Sequence, residues 1–256
     1  MKYLASQPRL AEALLHLRNK NLAVFPQERR LADKLYDRLS ALLARWRAGS
    51  LAKRGFKLVV SEQIVENPMV FRYLRPEGRR LLDFGAFESV LPLQLSAIGY
   101  QVTVLDQRTY PFAHPNLTVL CHDLFGRELQ SVEKFDTVLS VSTIEHLGLG
   151  TYGDIVQADA DKQGIAILWS LVREGGRLMV SLPAGKPTVQ RGYRTYNEAR
   201  LRAVFPPITA LHWFRKEGRE GVWREVSADE VADLSYHEPH GQMPVEAVAF
   251  VVCDKV

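Results

Sequence analysis

Apolar and polar positions along this 256-residue chain follow more than one period. Leu31, Leu35, Leu39, Leu42, Leu43 and Trp46 recur at three- and four-residue steps, which places them on one stripe of a helix ending near Gly49. Leu4, Leu10, Leu14, Leu15 and Leu17 predict a shorter helix before it. At Asn67-Pro68 a helix start is expected, because Asn caps well and Pro is pre-set for a first helical turn. Met69, Phe71 and Leu74 carry that helix to Arg75-Pro76.

From residue 79 short apolar runs alternate with helical patterns. RRLLDF, QVTVLD, NLTVLC, FDTVLSVS and GRLMVSLP read as strands, and SVLPLQLSAIG and DADKQGIAILWSLVR as helices between them. Strands alternating with helices predict an α/β fold, with a parallel sheet covered on both faces. After Pro183 the pattern gives a helix near 197–205, a strand near 208–214, a long polar stretch over 215–243 and a last apolar strand over 245–253.

Composition narrows the class. With 46% hydrophobic and 24% charged residues the chain is expected to fold and is neither disordered nor a fibrous repeat. No run approaches the roughly 18 apolar residues of a membrane span, and the opening apolar run breaks too early for a signal peptide, so a soluble cytoplasmic protein is expected. Cys121 and Cys253 are too few for a disulfide scaffold or a four-thiolate zinc site and read as buried thiols in a reducing compartment.

Charge divides the chain. Residues 1–57 hold 13 Lys/Arg against 4 Asp/Glu, leaving 20 against 25 for residues 58–256. This predicts a basic N-terminal helical segment over 1–57 and a main domain over 58–256. Basic amphipathic helices can touch nucleic acid or a membrane; the preferred reading is a helical cap on the main domain with a solvated outer face.

In doubly wound sheets ligands sit outside the carboxyl ends of the strands. Here those ends are acidic or small. The first carries Asp83 and Gly85, the second Asp106, the third Asp123 after Cys121-His122. Asp106 follows Asp83 at close to the roughly 20-residue spacing that puts a carboxylate on a ribose diol, and Asp123 can accept from an adenine amino group. The loop Gly85-Ala86-Phe87-Glu88-Ser89 lacks the glycines that cradle a pyrophosphate and places bulk and negative charge there instead. A phosphate-free, cationic nucleoside ligand fits better, and S-adenosylmethionine is one.

With LLDFGAFES, VTVLDQR, CHDLF, FDTVLSVSTIEHLGLGTYGD and LVREGGRLMVSLP in this order, the chain resembles the class I S-adenosylmethionine-dependent methyltransferases. The likeness is to a bacterial branch with S-T-I-E-H-x-G-x-G-x-Y-G-D; it spans residues 62–256 and is specific over 80–183. It implies a Rossmann-like, seven-stranded, mostly parallel sheet whose last strand runs antiparallel, and S-adenosyl-L-methionine as cofactor. It further implies that Asp83 and Gly85 meet the methionine end, Asp106 the ribose, Asp123 and the Leu124 amide the adenine with Gln107 beside it, and Ser140, through its carbonyl, the methionine amino group. Glu88 recurs in that branch and joins the cofactor set. Phe87 and Ser89 stand where the wider family has its second and third glycines.

Glu145 and His146 follow the fourth strand and lie where the transferred methyl group would emerge. An imidazole can take a proton near neutral pH, so His146 is the candidate base, with Glu145 assisting. The pair can equally form an internal hydrogen bond that shapes the turn into Gly148. Tyr152, Asp154, Arg219, Trp223, His237 and His240 are candidate acceptor contacts, the last four on the 215–243 connection read as a lid or acceptor wall. His237-Glu238-Pro239-His240 lacks a third ligand nearby, so no metal is expected. The expected activity is methyl transfer to a small-molecule or sugar acceptor, most simply at a hydroxyl. A non-catalytic binding or scaffolding domain is the alternative. Nucleic-acid base methylation ranks below both, because Ser142-Thr143-Ile144-Glu145 stands where such enzymes carry a Pro-Pro-aromatic run.

Overall fold

The computed structural model describes residues 60–87, 89–126, 129, 132–150, 156–190, 192–218, 221–235 and 245–256. The helices expected within residues 1–57 lie outside these.

The first helix among the described residues, α1 (Gln63–Tyr73), begins earlier than the Asn67-Pro68 start expected from the sequence. Pro68 sits inside it, forfeiting one backbone bond, while the carbonyls of Ser61 and Glu62 accept from the amides of Ile64, Val65 and Glu66 and hold the first turn. The gain is a face that buries Glu66, Met69 and Val70.

Five parallel strands follow: β1 (Arg80–Phe84), β2 (Gln101–Asp106), β3 (Leu117–Cys121), β4 (Phe135–Val141) and β5 (Val172–Pro183). Helix α2 (Leu91–Ala97) packs on β2 and α3 (Ala160–Leu171) on β4 and β5. From Leu81 to Phe84 every residue of β1 is buried, as expected of a central parallel strand covered on both faces. Leu91 and Leu95 of α2 and Leu168 of α3 are fully buried, each worth about 1.5–3 kcal/mol.

After β5 come a hairpin of β6 (Thr188–Gln190) and β7 (Tyr193–Thr195), helix α4 (Glu198–Val204), β8 (Ala210–Glu217), β9 (Val222–Val226) and β10 (Ala247–Asp254). The order in the main sheet is β3-β2-β1-β4-β5-β10-β8-β9. The last strand, β10, lies antiparallel between β5 and β8, which gives the Rossmann-like class I methyltransferase arrangement.

Two departures from the sequence reading concern the edges. The sheet has eight strands rather than seven, because part of the polar 215–243 stretch forms β9, antiparallel to β8 through a turn with positive φ at Gly218 and Gly221. Its residues are mostly exposed, as befits an edge strand rich in charge, so an apolar period never marks it. Cys253 is buried as expected, but Cys121 is exposed, since it ends the opposite edge strand, β3.

The C-terminal end of α1 is fastened to the sheet. Asp254 accepts from Arg177 Nε at 2.8 Å and from Arg75 Nη2 at 2.7 Å, while Arg177 Nη1 donates to the carbonyl of Tyr73 at 2.7 Å. This anchors the last turn of α1 beside the start of β4, while its first turns reach the carboxyl ends of β4 and β5, where Glu66 meets Ser142 and Ser181.

Candidate functional site

A cavity of about 480 Å³ lies at the carboxyl ends of β1 to β5. Every strand end delivers side chains to it, and α1 supplies one wall through Glu62, Gln63 and Asn67.

At the β1 end, Gly85 has φ +78°, and a Cβ there would stand 2.2 Å from Thr143 Cγ2. Glycine is therefore required by the turn after β4, which closes over it, and Thr143 Oγ1 donates to the Val141 carbonyl at 3.1 Å. Asp83 is buried, and among the described residues its Oδ2 has no hydrogen-bond partner. Burial, and then the charge of Asp106, push its pKa up to about 8.

The carboxylate of Asp106 is partly engaged. Its Oδ2 accepts from the Phe87 amide at 3.2 Å, and its Oδ1 from the Arg108 amide at 2.9 Å and from Arg108 Nε at 3.2 Å. The Arg108 guanidinium lies 4.1 Å from the centre of the Phe87 ring. The Phe87 ring is thus held against the Arg108 guanidinium, with its amide on Asp106. A carboxylate offers about four lone-pair positions, so one stays open to a ligand hydroxyl, and Arg108 Nε can yield another. Asp123 caps its own loop by accepting from the Phe125 amide at 3.0 Å and remains exposed.

After β4 the chain turns sharply at Ser142, with φ +45°, into a 3₁₀ turn over Ile144–His146. Two buried polar groups hold this turn. Glu66 Oε1 accepts from Ser142 Oγ at 2.6 Å and from Ser181 Oγ at 2.7 Å. On the other side Arg194 Nη1 donates to the Leu147 carbonyl at 2.5 Å, and Arg194 Nε lies 3.7 Å from the buried Asp161, which also accepts from Tyr196 and Arg200. Burial pushes the Asp161 pKa up, but Arg200, Tyr196 and Arg194 outweigh it and hold the carboxyl below its usual range.

The ring of His146 is oriented by its Nδ1, 2.5 Å from the Gly192 carbonyl. A carbonyl only accepts, so Nδ1 carries the proton and the neutral ring's lone pair is on Nε2, 3.7 Å from Glu145 Oε1. Glu145 is buried, and its Oε2 has no partner among the described residues. Burial, then the neighbouring Glu66 and Glu62, raise its pKa well above the carboxylate range. Burial likewise pushes Glu66 up to about 7 against the lowering pull of its serine bonds.

Of the residues singled out in the sequence, Asp83, Gly85, Asp106, Gln107, Asp123, Leu124, Glu145 and His146 all line this one cavity. Ser140 does not; it is buried within β4 between β1 and β5, and the strand ends at Val141. Trp223 lies on β9, away from the cavity lining, and Arg224 beside it pairs with Glu217 and Glu230. The described part of the 215–243 connection therefore builds a sheet edge and a turn that buries Val231, and none of it lines the cavity, which among the described residues after it is reached by Val245. Glu88, Tyr152, Asp154, Arg219, His237 and His240 lie outside the described residues. Glu66, Arg194 and Asp161 escaped the sequence reading, because a charged residue in a helix or hairpin carries no local mark of burial.

The cavity is a fit for a cationic nucleoside. Its described lining holds Glu62, Asp83, Asp106, Asp123 and Glu145 against Arg108, which is itself paired with Asp106. Among the described residues no three His, Cys, Asp or Glu side chains converge as metal ligands would.

Comparisons with known proteins add the following. The sequence model described as "Caenorhabditis protein of unknown function, DUF268" matches residues 114–233. No curated protein matches the chain. Solved structures of similar fold include a Burkholderia thailandensis 1,6-didemethyltoxoflavin-N1-methyltransferase, at 15% identity and TM-score 0.48, covering 91% of this chain and 93% of that one. A second is the S-adenosylmethionine-dependent methyltransferase from Anabaena variabilis, at 12% identity and TM-score 0.49, covering 76% and 84%. A third is the N-methyltransferase NodS from Bradyrhizobium japonicum, at 14% identity and TM-score 0.48, covering 74% and 85%. The fold assignment itself rests on the strand order described above.

Proposed function

We propose that this chain transfers a methyl group from S-adenosyl-L-methionine to a small-molecule acceptor. The observation that carries this reading is the convergence, in one acidic cavity at the strand ends, of Asp83, Asp106 and Asp123 with the turn bearing Glu145 and His146. When bound, S-adenosylmethionine supplies a methyl group on a sulfonium, which is already a good leaving group. The protein's share is then placement, charge compensation and removal of a proton.

In this reading Asp106 accepts from the ribose, Gln107, Asp123 and Leu124 border the adenine, and Asp83 faces the cationic methionine end. Arg108, held against the Phe87 ring, forms part of the wall beside Asp106. His146, with its lone pair on Nε2, is the base. Pre-fixing it through Gly192 and through Arg194 on the turn carbonyls lowers the ordering cost of reaching the reactive geometry. A lining rich in carboxyl groups, with Arg108 already paired to Asp106, disfavours phosphate-bearing acceptors, nucleic acid among them.

One observation favours the second reading, a methyltransferase-fold domain that binds without catalysis: both carboxylate oxygens of Asp106 already accept hydrogen bonds. Isothermal titration of the protein with S-adenosylmethionine and S-adenosylhomocysteine separates the two. The catalytic reading expects saturable binding of both; absence of heat for both, in folded protein, would leave only the second.

A further inference from the structure

We infer that the acceptor is a small amine, received as an ammonium ion by Glu145 and Glu62 and deprotonated by His146. The inference rests on the methyltransferase reading above, and it replaces the hydroxyl acceptor expected from the sequence.

Three observations support it. First, on the acceptor side, bounded by α1 and the turn after β4, the ionisable side chains of the described lining are Glu62, Glu145 and His146, with no Lys or Arg beside them. Among the described lining side chains a carboxylated or phosphorylated acceptor would find no counter-charge, since the nearby Arg194 is engaged by the Glu145 and Leu147 carbonyls and by Asp161. Second, Glu145 Oε2 has no partner among the described residues, on a residue 2% exposed. A buried polar atom without a partner carries a standing cost, which a donor from a ligand would remove. An ammonium brings three donors where a hydroxyl brings one, and its charge complements Glu62 and favours the ionised form of Glu145. Third, Glu66 is also buried, with its own Oε2 unpartnered among the described residues, and its charge adds to burial in raising the pKa of Glu145. A cation next to Glu145 relieves that repulsion; a neutral alcohol does not.

The chemistry closes without further reactants. The arriving R–NH₃⁺ gives one proton to His146 Nε2 and becomes R–NH₂ with a free lone pair. That pair forms the N–CH₃ bond as the S–CH₃ bond of the sulfonium breaks and its electron pair stays on sulfur. The products are R–NH₂⁺–CH₃, a neutral thioether and an imidazolium that returns its proton to solvent. During the step Glu145 and Glu62 hold the nitrogen in line and offset the repulsion between two cations.

The test compares benzylamine, benzyl alcohol and benzoate, which share one ring and differ in charge. Each is titrated by saturation-transfer NMR and calorimetry into the free protein and into the protein preloaded with S-adenosylhomocysteine. Benzylamine is expected to bind at least ten times more tightly than the other two. Glu145→Gln should weaken benzylamine about tenfold or more while benzyl alcohol stays within about twofold. Glu62→Gln, at a half-buried position, gives a smaller loss in the same direction and serves if Glu145→Gln fails to fold. Equal affinity for the three probes, preference for benzoate, or no binding of benzylamine overturns the inference. Failure of S-adenosylhomocysteine to bind would instead strike the methyltransferase reading, and the amine preference would still be read on the free protein.

Discussion

Glu66→Gln removes a charge that the folded protein resists. Folding moves this carboxyl from an ordinary 4.5 to about 7, first through burial. A carboxyl with a raised pKa holds its proton more tightly when folded, so its contribution to stability is fully present below pH 4.5 and is lost as pH climbs towards 7. At about 1.4 kcal/mol for each pH unit, the wild type should lose about 3 kcal/mol between pH 4.5 and 8.5 that Gln cannot lose. The substitution has a fixed cost as well. Ser142 and Ser181 can still donate to the Gln oxygen, but its amide sits where Oε2 has no partner, at about 1–3 kcal/mol regardless of pH. The difference between pH values cancels that cost. Urea unfolding of both proteins at pH 4.5 and 8.5, without ligand, should show Gln the less stable at acid pH and level with or above wild type at pH 8.5. A stability difference independent of pH to within about 1 kcal/mol would mean that Glu66 is solvated in the folded protein, contrary to its 1% exposure.

Asp106→Ala should weaken S-adenosylmethionine by one to two orders of magnitude, about 1.5–3 kcal/mol, in isothermal titration, and unchanged affinity in a folded variant would remove Asp106 from the site. Gly85→Ala forces a side chain into φ +78° and to within 2.2 Å of Thr143, so thermal unfolding should show a loss of about 2–5 kcal/mol; a loss under about 1 kcal/mol would refute the close approach. His146→Ala, assayed with an accepted amine, should lower kcat by about 10²–10⁴ with S-adenosylmethionine affinity nearly intact, and full turnover would pass the proton to another group.

How much could be read beforehand depended on whether burial leaves a periodic trace. Strands β1 to β5 show as apolar runs because both faces of a central parallel strand are covered, and α4 shows because Asn197 caps it by accepting from the Arg200 amide at 3.0 Å. Strand β9 shows nothing, since VWREV at an edge needs no apolar face. The α1 start was misplaced because Pro68, a strong local signal, was outweighed by the burial of Glu66 and Met69 beneath the helix. In the site, strand-end carboxylates were legible from position alone, and eight of the expected residues meet in the cavity. The groups that hold them there were not. Glu66 lies 76 residues from its partner Ser142, and Arg194 lies 47 from Leu147, so only the folded chain joins them.

Asp83 has one more consequence. With its pKa at about 8, the carboxyl is mostly protonated at pH 7, and a cation settling beside it favours the ionised form. The pocket then behaves as a weak cation exchanger whose outgoing counter-ion is a proton. Up to one H⁺ leaves for each cation captured, so the binding heat follows the ionisation enthalpy of the buffer. Apparent affinity climbs by at most about tenfold per pH unit until Asp83 is ionised in the free protein, and is flat thereafter.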